Sequence, residues 1–220
     1  MQSGNCVRTM EHDEIVTVCR WFPDGQNFIS ASIDKEIIVW NLAGTVIHQW
    51  SLDRLLDIAI TPDGSKMVAI CNDRKLHIYS IHEDFRQLLS CQMSHNMTSV
   101  VASNDSKYVL INSMAQEVHL WDIEKFQVVR KFVGQTQEKF MIRSCFGGPD
   151  QNFVLSGSEG FFPTIRMVLM VDSRIYVWNR EHGTLIDTIE GHTASCNCVS
   201  WNPVDAFMFA SAGDDHEIRM

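Results

Sequence analysis

Short apolar runs alternate with turn chemistry from one end of the chain to the other. Residues 15–21, 28–32 and 37–40 carry β-branched and aromatic side chains that alternate or cluster as strands require. Pro23-Asp24-Gly25, Pro62-Asp63-Gly64, Asn104-Asp105-Ser106 and Gly147-Gly148-Pro149 punctuate them as turns. No stretch sustains a 3.6-residue period, so helices are not expected. Within this pattern one phrase recurs. Residues 34–40 read Asp-Lys-Glu-Ile-Ile-Val-Trp, 73–79 read Asp-Arg-Lys-Leu-His-Ile-Tyr, and 172–178 read Asp-Ser-Arg-Ile-Tyr-Val-Trp. Residues 115–121 repeat it with Ala115 in place of the Asp, and 215–220 begin it again.

The Asp positions 34, 73, 115, 172 and 215 are separated by 39, 42, 57 and 43 residues. Apart from the third interval, this resembles the period of WD-repeat propeller blades, about 40–45 residues with four short antiparallel strands per blade. The expected fold is all-β, a WD40-repeat β-propeller that is incomplete, with four blades and most of a fifth over residues 1–220. An open arc of this kind exposes apolar blade faces. The chain is therefore expected to be a fragment or truncated isoform of a longer propeller protein.

The recurring residues have a structural role in the WD-repeat family. A His, a strand Ser or Thr, the Asp and the Trp form a buried hydrogen-bonded chain, and the first unit offers His12, Ser32, Asp34 and Trp40. A carboxylate among apolar strands is costly unless it is hydrogen-bonded. A His–Asp pair also suggests a catalytic dyad. The structural reading is preferred because the pair recurs with the repeat and no nucleophile recurs with it. Later units depart from the pattern. The second has Asp73 with Tyr79, and the third has Trp121 with His95 near the His position. The fourth has Gln135 with Asp172 and Trp178, and the last has His192 and Asp215.

The 57-residue interval falls to 45 if residues 160–171 are removed, leaving an ordinary blade turn, Ser-Gly-Ser-Glu followed by Asp-Ser-Arg. Residues 160–171 are thus expected to be an insertion within the fourth blade. The segment is apolar with one charge. A docking loop, a membrane-surface contact and an alternatively spliced or mis-predicted segment all fit it. The last is preferred for the cleanness of the insertion.

Composition narrows the function. A net charge of −9 disfavours general phosphate-backbone binding, so no nucleic-acid partner is expected. Seven cysteines without paired spacing suit a reducing compartment. Cys196 and Cys198, near His192, form a CxC pair, but zinc sites usually need a second cluster. Cys196 reads as a strand filler, and no cofactor or metal is expected. The first residues lack a signal-peptide layout, and the longest apolar run, 167–171, cannot cross a bilayer. No membrane partner is expected, and cytoplasm or nucleus is the expected location. Phosphate loops, nucleophile elbows and metal clusters are missing from the sequence, so an enzyme is not expected.

One segment is more specific than the blade pattern. It reads Arg130-Lys131-Phe132, Gly134-Gln135-Thr136-Gln137, then Ser144-Cys145-Phe146-Gly147-Gly148, where generic blades carry Gly-His. With Gly191-His192-Thr193 and Ser211-Ala212-Gly213-Asp214-Asp215, it resembles the Gid7-type WD-repeat subunits of the GID/CTLH E3 ubiquitin ligase, over nearly the whole chain. The resemblance implies a non-catalytic scaffold or substrate-recruiting subunit acting in proteasome-dependent degradation, with RING and LisH/CTLH proteins as partners. Ubiquitin transfer itself would belong to the RING-type partners. An adaptor of another pathway, and an isoform that does not assemble, are the alternatives. Arg130, Lys131, Lys139 and Arg143 cluster in sequence around the specific segment. They are the candidate surface for an acidic partner, against the plainer reading of solvated surface charges.

Overall fold

The alternating apolar runs form antiparallel strands in a computed structural model that describes residues 5–160 and 172–220. Five sheets follow one another along the chain. Blade 1 comprises β1 (Val16–Trp21), β2 (Asn27–Ser32), β3 (Glu36–Asn41) and β4 (Val46–Ser51). Blade 2 comprises β5 (Leu55–Ile60), β6 (Lys66–Cys71), β7 (Lys75–Ser80) and β8 (Arg86–Gln92). Blade 3 comprises β9 (Met97–Ala102), β10 (Tyr108–Ser113), β11 (Glu117–Asp122) and β12 (Gln127–Val133). Blade 4 comprises β13 (Ser144–Gly147), β14 (Phe153–Ser156), β15 (Ile175–Asn179) and β16 (Leu185–Ile189). Blade 5 comprises β17 (Cys196–Trp201), β18 (Phe209–Gly213) and β19 (Ile218–Arg219). Each sheet is a meander in chain order, as short hairpin turns dictate. The architecture is an incomplete WD40-type propeller.

The repeated phrase performs the same turn in successive blades. The Asp carboxylate accepts the N–H two residues on, at 3.2 Å from Glu36 to Asp34, from Lys75 to Asp73 and from Glu217 to Asp215. This local bond lets the intervening residue adopt a left-handed backbone, with φ +77° at Lys35, +66° at Arg74 and +66° at His216. In blade 3, where Ala115 replaces the Asp, Ser113 Oγ accepts the Ala115 N–H at 3.2 Å and Gln116 takes the φ of +61°. In blade 4, Asp172 accepts a 2.7 Å hydrogen bond from Ser158, the residue before Glu159. The predicted insertion itself, residues 160–171, lies outside the described residues except for Gly160. At the other end of the phrase, the Trp or Tyr sits on a register shift between the third and fourth strands. The shift falls at Val39/Trp40, Ile78/Tyr79, Leu120/Trp121 and Val177/Trp178. Such a bulge adds right-handed twist and swings the aromatic ring toward the blade interior.

The blades are held by their faces. The middle strands are buried almost throughout, as in β6 and β10, while outer strands such as β4 and β8 are largely exposed. Four apolar clusters join the five sheets in series. Ile29, Ile37 and Val39 pack with Ile58 and Met67 between blades 1 and 2. Val68, Ile70 and Leu76 pack with Val109 and Ile111 between blades 2 and 3. Leu110, Val118 and Phe132 meet Val154 and Trp178 between blades 3 and 4, and Leu155 and Val177 meet Cys196 and Val199 between blades 4 and 5. Cys196 thus fills an apolar strand position, and burial pushes its thiol up to about 12.

The last of these contacts leaves no room for a side chain at Gly157. A Cβ there would lie 2.0 Å from the Cys196 carbonyl oxygen. Gly157→Ala is expected to cost about 1–3 kcal/mol by forcing blades 4 and 5 apart. A lowered urea midpoint checks this, and an unchanged midpoint refutes the tight contact.

Candidate protein-interaction surface

The innermost strand of each blade lines an axial groove of about 410 Å³. Its chemistry centres on Asp57, one register position after the bulge in β5, with only 2% of its side chain exposed. One carboxylate oxygen takes Arg20 Nη2 of blade 1 at 2.5 Å and the Ile58 N–H at 3.0 Å. The other takes the Val100 N–H of blade 3 at 3.2 Å and faces Arg143 Nη1, leading into blade 4, at 3.6 Å. A single carboxylate therefore ties four consecutive blades together. Burial pushes its pKa up, and the two guanidinium groups and the backbone N–H groups offset only part of that. Arg20 also donates to the Ile58 and Cys19 carbonyls at 3.0 and 2.9 Å, so each of its three nitrogens has a partner inside the fold. Arg143 is 46% exposed and makes no side-chain hydrogen bond among the described residues, so its charge faces the groove.

Residues 134–143 connect β12 to β13 and rise beside this groove. A ten-residue connection without regular structure is held here by buried polar contacts. Glu159, itself buried, accepts the N–H groups of Glu138, Lys139 and Phe140 on one oxygen at 2.7, 2.8 and 3.2 Å. Gln137 is fully buried and donates to Thr98 of blade 3 at 2.8 Å and to the Phe140 carbonyl at 3.2 Å. The backbone is thus fixed while the tip points outward. Phe140 and Met141 are 46% and 47% exposed, flanked by Lys139 and Arg143. Aromatic, Met and Arg side chains on a rigid support are the composition of interface cores.

The four basic residues expected to form one surface do not do so. Arg130 and Lys131 lie on β12, the outermost strand of blade 3, where Arg130 Nε donates to the Glu181 carbonyl at 2.7 Å and Lys131 pairs with Glu117 at 2.8 Å. Arg143 is at the innermost edge, about three strand spacings of ~4.8 Å away. Sequence proximity misled here because the chain crosses the whole sheet between them. Lys139 and Arg143 remain together on the loop.

The expected blade chain is also redrawn. In blade 1, Ser30 and not Ser32 joins His12 to Trp40: the indole N–H donates to Ser30 Oγ at 2.7 Å, and His12 Nε2 lies 2.7 Å from the same oxygen. Ser32 instead donates to Asp34, and His12 Nδ1 faces Glu36 at 3.5 Å. Residues 30 and 32 share one face of the strand, so side-chain direction could not separate them; the recurring Ser four places before the Asp could have. That spacing recurs in blade 5, where His192 Nε2 lies 2.8 Å from Ser211 and Nδ1 is 2.9 Å from both Asp215 oxygens. The carboxylate fixes the proton on Nδ1, so Nε2 accepts from the Ser hydroxyl. Among the described residues, blades 2 to 4 lack this relay. Tyr79 packs on Trp50 with ring centroids 6.1 Å apart, His95 is exposed and bonds Ser94, and Trp178 donates to the Val133 carbonyl at 3.1 Å. The Trp121 indole nitrogen is buried without a partner among the described residues. Asp57, Arg20, Glu159, Phe140 and Met141 were missed by sequence reading. Glu159 gave no local signal, since its partners are backbone groups about twenty residues away, and Asp57 gave none, since its partners come from other blades.

Five antiparallel meanders packed face to face around an axial groove define a WD-repeat protein, and the WD domain, G-beta repeat model matches residues 4–41 and 183–220. The chain resembles the Gid7-type WD-repeat subunits across its length. It is 37% identical over 225 residues to GID complex subunit 7 of Schizosaccharomyces pombe, covering 99% of this chain and 42% of that protein. It is 38% identical over 225 residues to the WD repeat-containing protein 26 homolog of Arabidopsis thaliana, covering 100% of this chain and 36% of that protein. The homolog of the same name in Drosophila melanogaster is 32% identical over 197 residues, 90% of this chain and 29% of that protein. The chain spans less than half the length of these curated relatives.

Two outcomes test the site. Glu159→Ala removes the acceptor of three N–H groups, and amide exchange at Glu138, Lys139 and Phe140 is expected to rise at least about tenfold, since each orphaned buried group costs about 1–3 kcal/mol. Unchanged protection would show that the loop is held by something else. For Asp215, burial works to raise the carboxyl, and the hydrogen bonds from His192, Thr193 and Glu217 outweigh it and hold it at about 2. A depressed pKa stabilises the fold above the unfolded value of about 4, and that stability is lost as pH falls toward 2. Protection of the Thr193 and Glu217 amides, relative to their intrinsic exchange, should therefore fall between pH 4 and 2 in the native chain but not in Asp215→Ala, which has already lost it at pH 5.

Proposed function

We propose that this chain is the propeller portion of a non-catalytic scaffold or substrate-recruiting subunit of a GID/CTLH-type ubiquitin ligase, acting in proteasome-dependent protein degradation. The observation that carries this reading is the similarity to GID complex subunit 7 along the whole chain, including the segment from Arg130 to Gly148. The anchored loop supports it physically. Glu159 and Gln137 hold the backbone of residues 137–140, so Phe140, Met141 and Lys139 are presented with little ordering cost on binding. Arg143 at the groove mouth adds a cation whose internal partner, Asp57, is too distant to satisfy it fully.

The mechanism is geometric. A partner covers the Phe140–Met141 tip, and an acidic group on it meets Lys139 and Arg143. RING and LisH/CTLH proteins are the proposed partners, and the proposed location is the cytoplasm or nucleus. In this reading the propeller recruits, and transfer chemistry belongs to another subunit.

Affinity purification of the tagged chain, scored for RING and LisH/CTLH proteins, tests the assignment. Phe140→Asp with Met141→Asp is expected to reduce recovery of at least one partner about tenfold or more, as for removal of interface anchors. Arg130→Glu with Lys131→Glu is expected to leave recovery unchanged. Absence of all such proteins with the unmodified chain would favour an adaptor of another pathway.

A further inference from the structure

A second cavity lies on the opposite face of the arc, where the first-to-second and third-to-fourth strand turns emerge. It opens between blades 1 and 2 with a volume of about 540 Å³, within the range of about 300–1,000 Å³ typical of ligand sites. Its walls are Phe22, Val39, Ile81 and Phe85, with Ile47 at the lip and 52% exposed.

Phe85 reaches this wall at a conformational cost. Asp84 and Phe85 both have left-handed backbones, with φ +53° and +56°, a region that bulky residues avoid. The ring is held there by stacking on His48 at 5.0 Å, by Trp50 at 5.1 Å and by an edge contact with Phe22 at 6.2 Å. The aromatic wall is thus built across both blades and does not depend on a loose side chain.

The rim is anionic. Asp24 and Asp63, the acids of the two Pro-Asp-Gly turns, both line the opening. Asp24 accepts the Gln26 and Asn27 N–H groups at 2.8 and 3.1 Å and the Asn27 amide at 2.7 Å. Asp63 accepts the Ser65 N–H at 3.0 Å and the Ser65 hydroxyl at 2.9 and 2.8 Å. All these donors are neutral, and neither acid has a Lys, Arg or His partner among the described residues. Against the burial that would raise it, hydrogen bonding holds Asp63 at about 2, so the rim keeps its charge at any ordinary pH.

We propose that this groove docks a protein segment bearing a large apolar side chain beside lysine or arginine. The apolar side chain enters between Ile47 and Phe85, and the basic groups meet Asp24 and Asp63, whose charge the fold leaves uncompensated. The occupant is a basic-apolar segment because an acidic one would place like charges against both rim acids. This site is separate from the loop of residues 134–143 and does not rest on the ligase reading.

The test uses the 220-residue chain and a fluorescent, N-acetylated, C-amidated peptide, Lys-Arg-Leu-Phe-Lys-Gly, in an anisotropy titration. Saturable binding is expected. Asp24→Asn with Asp63→Asn, which keeps an Oδ1 acceptor for the backbone N–H groups of both turns, should weaken it about tenfold or more, as loss of two ionic contacts implies. Ile47→Lys, an exposed position that does not threaten folding, should weaken it similarly, as should replacing Leu-Phe by Ala-Ala in the peptide. Phe140→Asp with Met141→Asp should leave it unchanged. Absence of saturable binding, or binding indifferent to the rim and lip variants, would overturn the proposal. So would equal affinity for the Ala-Ala peptide, or dependence on Phe140 and Met141.

Discussion

Everything in this molecule depends on the burial of one blade face against the next. A four-stranded meander has two apolar faces and cannot cover either by itself. Ile29 and Val39 need Ile58 and Met67, and Leu110 and Val118 need Val154 and Trp178. At roughly 25 cal/mol per Å² of apolar area, such interfaces supply most of the stability of a repeat array. They also leave no single hydrophobic centre. The core is a series of four layers, each shared by two neighbours, and its geometry sets where every turn and loop emerges.

Packing in layers brings five inner strands toward one axis and forces polar chemistry there. Asp57 is the consequence. Its carboxylate is buried where only Arg20, Arg143 and two backbone N–H groups can satisfy it, and each comes from a different place in the chain. The same principle holds the connection between β12 and β13. Glu159 gathers three N–H groups and Gln137 reaches Thr98, so a segment that would be costly to order becomes a fixed display of Phe140 and Met141. The two faces of the arc then differ in character: basic and apolar at this loop, acidic and apolar at the groove between Asp24 and Asp63.

The repeated phrase was legible because its work is local. Asp34, Asp73 and Asp215 each accept an N–H two residues away, and the tight turn follows from that bond in any surroundings. The strands and their order were equally legible from apolar alternation and hairpin turns. Ser30 was not separated from Ser32, because both lie on one strand face and only the distance to His12 and Trp40 distinguishes them. The basic residues failed for a related reason. Arg130 and Arg143 are close in number, yet the first is at the outer edge of a blade and the second at the axis.

The sequence by itself determined the all-β class, the blade period, the phrase-bearing turns of blades 1, 2, 3 and 5 and the resemblance to Gid7-type subunits. These rest on interactions that span a few residues or on a pattern that repeats. The tertiary structure alone decided that Asp57 would join four blades, that Glu159 would anchor a loop twenty residues before it, and that Phe85 would meet Phe22 across a blade boundary. Those contacts depend on the angle at which one sheet stacks on the next. No local pattern encodes that angle, because it is set by the fit of whole buried faces.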